Sequence, residues 1–341
     1  MTEEISMDEV GKGQGEQPAE GSEAVGVEAA RGTEVTGRLP RWEGKARAKV
    51  NLVLRILARE EDGFHQIETE FQTLDLADDI SIELSPSEGV SLEVEGVPAG
   101  DLGEAEDNLA VRAARSWLEA YADLREPHAA MPFPGIRIRL HKAIPHGAGL
   151  GGGSSDAGAV LRGLDELHGN PLGRGRLVEL GSALGSDVPF FVLDEPRALG
   201  WGRGDRLLPL SALPARPVLV ALPPFRISTP RAYRTLAGQR EREGLGWAGG
   251  RLLEPEELNG WSRVMERSSN DFEAALERLH PELLGIRQTL DAFGARPARL
   301  SGSGSAVFGV FESESDMEEA RRELRAVLPE ARVIPTRTAA G

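Results

Sequence analysis

The sequence contains no cysteine and few aromatic residues, and its basic side chains are far outnumbered by acidic ones. The absence of cysteine excludes disulfide bonds, thiolate metal sites, iron–sulfur clusters and cysteine nucleophiles, and it fits the reducing cytoplasm, where we expect the protein to act. The 341 residues include 39 Lys and Arg against 55 Asp and Glu, a formal net charge of −16. Nucleic acids and anionic membranes attract basic surfaces, so neither is an expected partner. No apolar run approaches the roughly 18–20 residues of a membrane-spanning helix.

The acidic excess is concentrated at the start of the chain. Residues 1–36 hold nine acidic and two basic residues and no aromatic side chain. Such a composition cannot bury enough apolar surface to offset the entropy that is lost on ordering. We therefore predict a disordered acidic tail over residues 1–41. The remaining length suggests about two domains.

Strand and helix patterns are mixed along the rest of the chain. Alternating apolar residues predict strands at residues 46–57, 67–74, 80–84, 91–94, 136–140, 218–222, 299–300 and 306–311. Apolar residues at helical spacing predict helices at residues 108–124, 155–168, 271–279, 282–293 and 314–328. Residues 238–262, rich in Gly, Glu and Arg, are predicted to form a long exposed insertion. Because strands and helices do not alternate strictly, the pattern favours an α+β architecture.

A dense glycine segment precedes the predicted helix that starts at Ser155, with five glycines in residues 147–153. Backbone N–H groups without neighbouring Cβ atoms can converge on phosphate oxygens, and a helix N-terminus favours negative charge. Ser154 and Ser155 add hydroxyl donors, and Ser155 or Asp156 could cap the helix. A flexible surface loop is the alternative interpretation, but the position before an amphipathic helix favours a phosphate site.

Three common phosphate-binding patterns do not fit this segment. No Lys follows the glycines, as a P-loop requires. A dinucleotide fold needs a strand after the helix, ending in an acidic residue, whereas this helix is followed by Gly169, Asn170, Pro171 and another helical stretch. The V-A-I-K and H-R-D sequences of protein kinases are absent.

The segment P-x-G-x-G-L-G-x-x-S-S, from Pro145 to Ser155, resembles the phosphate loop of the GHMP kinases, which phosphorylate small molecules. The sequence RLSGSGSAVF from Arg299 resembles the C-terminal glycine motif of that superfamily, which packs against the nucleotide loop. Three further segments, AKVNL from Ala48, DGFH from Asp62 and LGSDVPFF from Leu184, resemble one family in particular, 4-diphosphocytidyl-2-C-methyl-D-erythritol kinase.

This resemblance implies ATP-dependent phosphorylation of the 2-hydroxyl group of a cytidine-diphosphate sugar-alcohol in the non-mevalonate isoprenoid pathway. It implies a ribosomal-S5-like domain, at residues 42–209, followed by a ferredoxin-like domain at residues 210–341. The second domain would contribute Tyr233 and the glycine motif at residues 301–305. The residues implied to bind ATP are Pro145, His146, Gly147, Ala148, Gly149, Leu150, Gly151, Gly152, Gly153, Ser154 and Ser155.

Lys49 and Asp187 match the catalytic residues of the family. A tertiary alcohol is a poor nucleophile, so its phosphorylation needs positioning, charge neutralisation and a proton acceptor. Asp187 would accept the hydroxyl proton, while Lys49 would keep Asp187 ionised and steady the hydroxyl or the transferred phosphoryl group. Outside this context, Asp187 would be a carboxylate at a helix end or in a turn, and Lys49 a solvated strand lysine.

Phe64 and His65 match an aromatic–histidine pair in which the ring stacks on cytosine and the histidine hydrogen-bonds the edge of the base. The family usually has Tyr at the first position, so Phe64 keeps the stacking face and lacks the hydroxyl group. Tyr233 matches a second stacking aromatic residue. Asn51 would contact substrate beside Lys49, with a structural role on the strand as the alternative.

Arg47 is a second departure, since the family usually has Pro before Ala-Lys. We expect the absence of this Pro to loosen the start of the first strand. The guanidinium group of Arg47 could then reach a substrate phosphate.

None of the six histidines belongs to a metal-binding pattern, so Mg²⁺ is expected to arrive with ATP. A monomer or a homodimer is expected. The competing hypotheses are a homoserine- or mevalonate-type GHMP kinase and a non-enzymatic nucleotide-binding protein.

Overall fold

The computed structural model describes residues 39–97, 104–124, 135–246 and 255–340 of the chain. The predicted acidic tail lies outside these ranges except for residues 39–41. The described strands are β1 (Arg41–Arg59), β2 (His65–Ser85), β3 (Gly89–Glu95), β4 (Gly135–His141), β5 (Arg197–Gly202), β6 (Arg206–Pro209), β7 (Pro217–Leu222), β8 (Ser269–Asn270), β9 (Ala298–Leu300), β10 (Val307–Val310) and β11 (Arg332–Arg337). The described helices are α1 (Leu109–Asp123), α2 (Gly152–Leu167), α3 (Gly173–Leu184), α4 (Val188–Leu193), α5 (Thr229–Glu243), α6 (Trp261–Arg267), α7 (Glu273–Leu279), α8 (Pro281–Ala292) and α9 (Glu314–Val327).

The first sheet is built around two long antiparallel strands, β1 and β2. Its strand order is β3-β4-β2-β1-β8, and the hairpin of β5 and β6 pairs with the early part of β2. Helices α1 and α2 cover one face, where their apolar residues meet those of β2 and β4. Small residues permit this packing, since a Cβ on Gly163 of α2 would lie 2.7 Å from the ring of Trp42.

The second sheet has the order β11-β7-β10-β9, and its neighbouring strands are antiparallel. Helices α8 and α9 pack against it. Strand β7 is buried along its whole length, as expected for a central strand with both faces covered. The two sheets share core residues, because Val50 and Leu52 of β1 pack with Val218, Val220 and Phe308.

Most of the predicted elements are confirmed, and the α+β fold class is confirmed as well. The two strands predicted at residues 67–74 and 80–84 form the single strand β2. Helix α2 begins at Gly152, three residues before the predicted start, and Gly151 occupies the N-cap position. The prediction that Ser155 or Asp156 caps this helix is therefore wrong. The boundary proposed between residues 209 and 210 stays a prediction.

The prediction of a long exposed insertion over residues 238–262 is confirmed for residues 241–246 and 259–260, which are exposed, and is wrong at the two ends of the stretch, which belong to packed helices. Helix α5 continues to Glu243, and Gln239 within it is buried. Trp261 begins α6, lies in the core and donates a hydrogen bond of 2.8 Å to the carbonyl oxygen of Pro214. The high content of charged residues in this stretch concealed the apolar side of each helix.

Candidate active site

A cleft with a cavity volume of about 340 Å³ brings most of the predicted site residues together. Lys49 and Asn51 line it from β1, Asp187 from the start of α4 and Tyr233 from α5. The loop before α2 and the turn between β9 and β10 complete the walls. Segments from widely separated parts of the sequence therefore converge on one concave surface, which is the usual form of a small-molecule site.

Lys49 and Asn51 share a face of β1 because side chains two residues apart in a strand point to the same side. Lys49 Nζ donates a hydrogen bond of 2.8 Å to Asn51 Oδ1, and Asn51 Nδ2 donates one of 2.7 Å to Thr69 Oγ1. Lys49 and Asn51 are both buried. The amide of Asn51 thus orients the lysine, while its contact with substrate stays a prediction.

Asp187 occupies the N-cap position of α4 but makes no side-chain capping hydrogen bond. Its Oδ2 atom instead lies 3.3 Å from Lys49 Nζ. The Asp187 side chain is 31% exposed and that of Lys49 only 4%. A carboxylate therefore faces the cleft with a cation directly behind it, a geometry suited to accepting a proton from a bound hydroxyl group.

The glycine loop is held in a conformation that other residues rarely adopt. Gly147, Gly149 and Gly151 have φ values of 68°, 83° and 74°. A Cβ on Gly149 would lie 2.2 Å from the carbonyl oxygen of Ser301, and Ser301 Oγ donates a hydrogen bond of 2.9 Å to the Gly149 carbonyl oxygen. The loop thus packs directly on the second glycine motif, the contact that the family resemblance implied.

The N-terminus of α2 opens into the cleft behind this loop. Its N-cap residue is Gly151, which has no side chain that could cap the helix. Gly152, Gly153 and Ser154 all line the cavity. Because the first N–H groups of a helix lack partners within the helix, they are available to an anion. These residues fit the phosphate chain of a nucleotide.

Lys142 is a cleft residue that the sequence analysis did not identify. Its buried Nζ donates a hydrogen bond of 2.6 Å to Asp156 Oδ2 and also pairs with Asp78. Asp78 Oδ1 accepts hydrogen bonds from the N–H groups of Ala143 and Ile144. This cluster joins the segment before the glycine loop to the first turn of α2, so both ends of the loop are fixed.

The charge balance of this cluster is set mainly by burial. Burial raises the pKa of Asp156 to about 7, although the ammonium group of Lys142 acts in the opposite direction. In the sequence, this cluster is marked by Lys142 at the end of a predicted strand and by Asp156 after two serines. Neither residue indicates that the two are in contact, because the contact depends on how β2, β4 and α2 pack together.

The rings of His65 and Tyr233 are stacked, with centroids 4.2 Å apart and an interplanar angle of 23°. Burial lowers the pKa of His65, and the positive charges of Arg59 and Arg240 lower it further. Burial also raises the pKa of Tyr233 to about 12, and the negative charge of Asp187 adds to this effect.

Three of the predicted site residues, all within the described ranges, are not among those that line the cleft: Phe64, His65 and Ser155. His65 does not line the cleft itself, but its ring stacks on Tyr233, which does. Phe64 is 53% exposed, and Ser155 is buried in the first turn of α2.

Arg47, the departure from the family pattern on β1, pairs with a neighbouring carboxylate. Its NH1 atom lies 2.5 Å from Asp75 Oδ1, and neither residue lines the cleft. Strand β1 is continuous through Arg47, with a register shift against β2 before Lys49. The expected contact of Arg47 with a substrate phosphate stays a prediction.

Two family models match the chain. The GHMP kinases N terminal domain matches residues 108–195, and the GHMP kinases C terminal domain matches residues 252–330. The crystal structure of homoserine kinase from Cytophaga hutchinsonii superposes with a TM-score of 0.64 at 19% identity, covering 88% of this chain and 95% of that one. At this identity the likeness concerns the fold alone. The fold is that of a GHMP kinase.

Proteins of higher sequence identity show which family of GHMP kinases the chain belongs to. The 4-diphosphocytidyl-2-C-methyl-D-erythritol kinase of Moorella thermoacetica is 40% identical over 86% of this chain and 97% of its own length. That of Solibacter usitatus is 39% identical over 80% of this chain and 81% of its own length. A crystal structure of 4-(cytidine 5'-diphospho)-2C-methyl-D-erythritol kinase matches with a TM-score of 0.69 and 37% identity, covering 88% of this chain and 100% of that one. The chain belongs to the 4-diphosphocytidyl-2-C-methyl-D-erythritol kinase family.

Members of the GHMP kinases are ATP-dependent phosphotransferases that act on alcohol groups of small molecules, and this chain is an enzyme of that kind. Across the described residues, no helix has the length and apolar character needed to span a membrane. In the same part of the chain, His, Asp and Glu side chains form no group of three or more that could hold a metal ion.

Proposed function

We propose that this chain transfers the γ-phosphoryl group of ATP to the 2-hydroxyl group of 4-diphosphocytidyl-2-C-methyl-D-erythritol. The observation that carries the proposal is the pair of Lys49 and Asp187, 3.3 Å apart in the cleft that also contains the glycine loop. A phosphate-binding loop beside a carboxylate–ammonium pair is what phosphoryl transfer to an alcohol needs.

Asp187 would act as the general base. In this step its carboxylate accepts the proton of the 2-hydroxyl group, and the hydroxyl oxygen forms a bond to the γ-phosphorus. The bond between that phosphorus and the oxygen bridging to the β-phosphate breaks, so ADP leaves with the electron pair. Lys49, oriented by Asn51, would neutralise charge on the transferred group.

The glycine loop would hold the phosphates of ATP through the N–H groups at the start of α2. Mg²⁺, carried with ATP, would neutralise part of the charge of the phosphates. Lys142 would keep the loop in place through Asp78 and Asp156. We further propose that the protein acts in the cytoplasm as a monomer or homodimer, without a nucleic-acid partner.

The cytidine end of the substrate would bind where His65 meets Tyr233. Tyr233 lines the cleft and presents an aromatic face on which a base can stack. His65 would hydrogen-bond the edge of cytosine, and Phe64 would stack on the base. The stacked rings of His65 and Tyr233 would separate to admit the base, because they are in direct contact.

The proposal is tested by following ADP release with three candidate acceptors, namely the cytidine-diphosphate substrate, homoserine and mevalonate. We expect turnover with the first alone, and phosphorus NMR of the product should show a phosphate ester at the 2-position. Turnover with homoserine or mevalonate instead would make the chain a different GHMP kinase. ATP binding without turnover of any acceptor would make it a non-enzymatic nucleotide-binding protein.

A further inference from the structure

Arg203 lies on the turn between β5 and β6 and reaches across to the hairpin turn that joins β1 to β2. Its Nε donates a hydrogen bond of 2.9 Å to Glu60 Oε2, and its NH2 pairs with both Glu60 and Asp62. Its guanidinium carbon lies 4.0 Å from the centroid of the Phe64 ring. One side chain therefore contacts two of the three carboxylates of this turn and the aromatic ring that ends it.

The backbone around Arg203 and around Phe64 supports this contact. Gly202 and Gly204, which flank the arginine, have φ values of 70° and 96° and allow a tight turn. The Arg203 N–H donates a hydrogen bond to Asp205 Oδ1. The Phe64 N–H donates one of 3.1 Å to Asp62 Oδ1, which lowers the pKa of that carboxyl group. Both sides of the contact are thus fixed by their own turns.

Phe64 is exposed although its side chain is apolar. A guanidinium group at 4.0 Å is well within the range of a cation–π interaction and covers one side of the ring. Phenylalanine has no hydroxyl group with which to anchor itself, and the guanidinium group contacts its ring from one side. A ring that is oriented from one side and exposed elsewhere is a platform on which a planar group can stack.

This platform is adjacent to the cleft. His65 follows Phe64 directly, and its ring stacks on Tyr233, which lines the cavity. A shift of the turn at Phe64 would therefore move His65 relative to Tyr233. The position of Arg203 is coupled in this way to the part of the site where a base would bind.

We propose that Arg203 is a positioning residue for the nucleobase of the substrate, which holds the Phe64 ring so that the base stacks against it. This inference rests on the proposed function, since it assigns the base-binding end of that same site. If Arg203 merely stabilised the turn through Glu60 and Asp62, its effect on substrate affinity would not depend on Phe64.

The test is steady-state kinetics with each substrate varied separately in the full-length protein. For Arg203→Ala we expect the KM of the cytidine-diphosphate substrate to rise about three- to tenfold, with the KM of ATP and kcat nearly unchanged. Arg203→Lys keeps a cation for the two carboxylates but lacks the planar guanidinium group, so a smaller rise in the same KM is expected. Arg206→Ala removes a positive charge from the same hairpin and should leave all three parameters unchanged.

Whether the effect of Arg203→Ala depends on Phe64 distinguishes positioning of the ring from simple stabilisation of the turn. In a Phe64→Leu background, Arg203→Ala should have almost no further effect on the KM of the cytidine substrate, since the ring that it orients is gone. Equal effects of Arg203→Ala with and without Phe64, or an unchanged KM in an active Arg203→Ala enzyme, would overturn the proposal. If Arg203→Ala does not fold, the same comparison with Arg203→Lys decides. A wild-type enzyme that does not phosphorylate the cytidine substrate would instead contradict the proposed function.

Discussion

Lys49 Nζ lies 3.3 Å from Asp187 Oδ2 and donates a hydrogen bond of 2.8 Å to Asn51 Oδ1. Asn51, on the same strand, thus orients the ammonium group of Lys49, and the carboxylate of Asp187 lies next to this group in the cleft. The backbone N–H of Lys49 also donates a hydrogen bond of 2.9 Å to the carbonyl oxygen of Leu150 in the glycine loop. The strand that carries the cation is therefore attached directly to the loop proposed to hold the phosphates.

Asp187→Asn should reduce kcat about 10²- to 10⁴-fold, because an amide cannot accept the proton of the substrate hydroxyl group. ATP affinity should stay close to that of the wild type, since Asp187 is not part of the glycine loop. Coupled measurement of ADP release gives kcat, and titration calorimetry with a non-hydrolysable ATP analogue gives the affinity. Asp194→Asn, an exposed carboxylate at the other end of α4, is the matched control and should retain full kcat. An Asp187→Asn enzyme with undiminished kcat would contradict the assignment of the general base.

Gly149→Ala should weaken ATP binding and destabilise the protein. At a φ of 83° a side chain is strained, and the new Cβ would lie 2.2 Å from the carbonyl oxygen of Ser301, so the loop must move away from the second glycine motif. We expect a higher KM for ATP and a free energy of unfolding lower by about 1–3 kcal/mol. Gly175→Ala, on α3 with open space around it, serves as the control and should not lower stability. Unchanged ATP kinetics in Gly149→Ala would show that the loop conformation is not needed.

The site residues that the sequence revealed belong to short continuous motifs. The glycine loop, Lys49 and Asp187 could be identified because each lies in a local string whose residue types already suggest phosphate or proton chemistry. Lys142 could not, since its role depends on Asp78 and Asp156, which β2 and α2 bring to it. Arg203 was missed for the same reason, because only the fold brings its turn against Phe64.

The errors in secondary structure have related causes. The stretch between the two strands predicted in β2 contains Asp75, Asp78 and Asp79, which are residues that disfavour strands. In the structure, Asp78 is fully buried within the strand and satisfied by Lys142 and two backbone N–H groups. A tertiary contact thus overrides the local preference. Helix α2 begins earlier than predicted because glycines that are poor helix formers serve in its first turn.

Glu70→Gln should cause a large loss of stability. Glu70 is fully buried between two arginines, and accepts hydrogen bonds of 2.7 Å from Arg197 Nε and 2.9 Å from Arg267 Nε. These residues join β2, β5 and α6. The substitution leaves two buried guanidinium groups without a carboxylate, so the free energy of unfolding in urea should fall by about 3–5 kcal/mol.

The control for this prediction is an exposed ion pair. Glu179 Oε2 lies 2.7 Å from Arg176 NH1 on the surface of α3. Glu179→Gln should therefore change the free energy of unfolding by no more than about 0.5 kcal/mol. If the two substitutions had equally small effects, the buried cluster would not stabilise the fold.

The KM of the cytidine substrate should be independent of pH down to about 6.5 and should rise only below it. The pKa of His65 is lowered from 6.5 by burial and by the charges of Arg59 and Arg240, so the ring stays neutral where an ordinary histidine is half protonated. Since the unfolded chain binds this proton more readily, the contribution of His65 to stability is fully present above pH 6.5 and declines as the pH falls below it.

Initial rates measured across pH with each substrate varied would give both KM values. His65→Gln should raise the KM of the cytidine substrate and remove its rise at low pH, while the KM of ATP follows the wild type throughout. A KM that already changes above pH 6.5 in the wild type, and not in His65→Gln, would show that burial and the two arginines do not lower the pKa of His65.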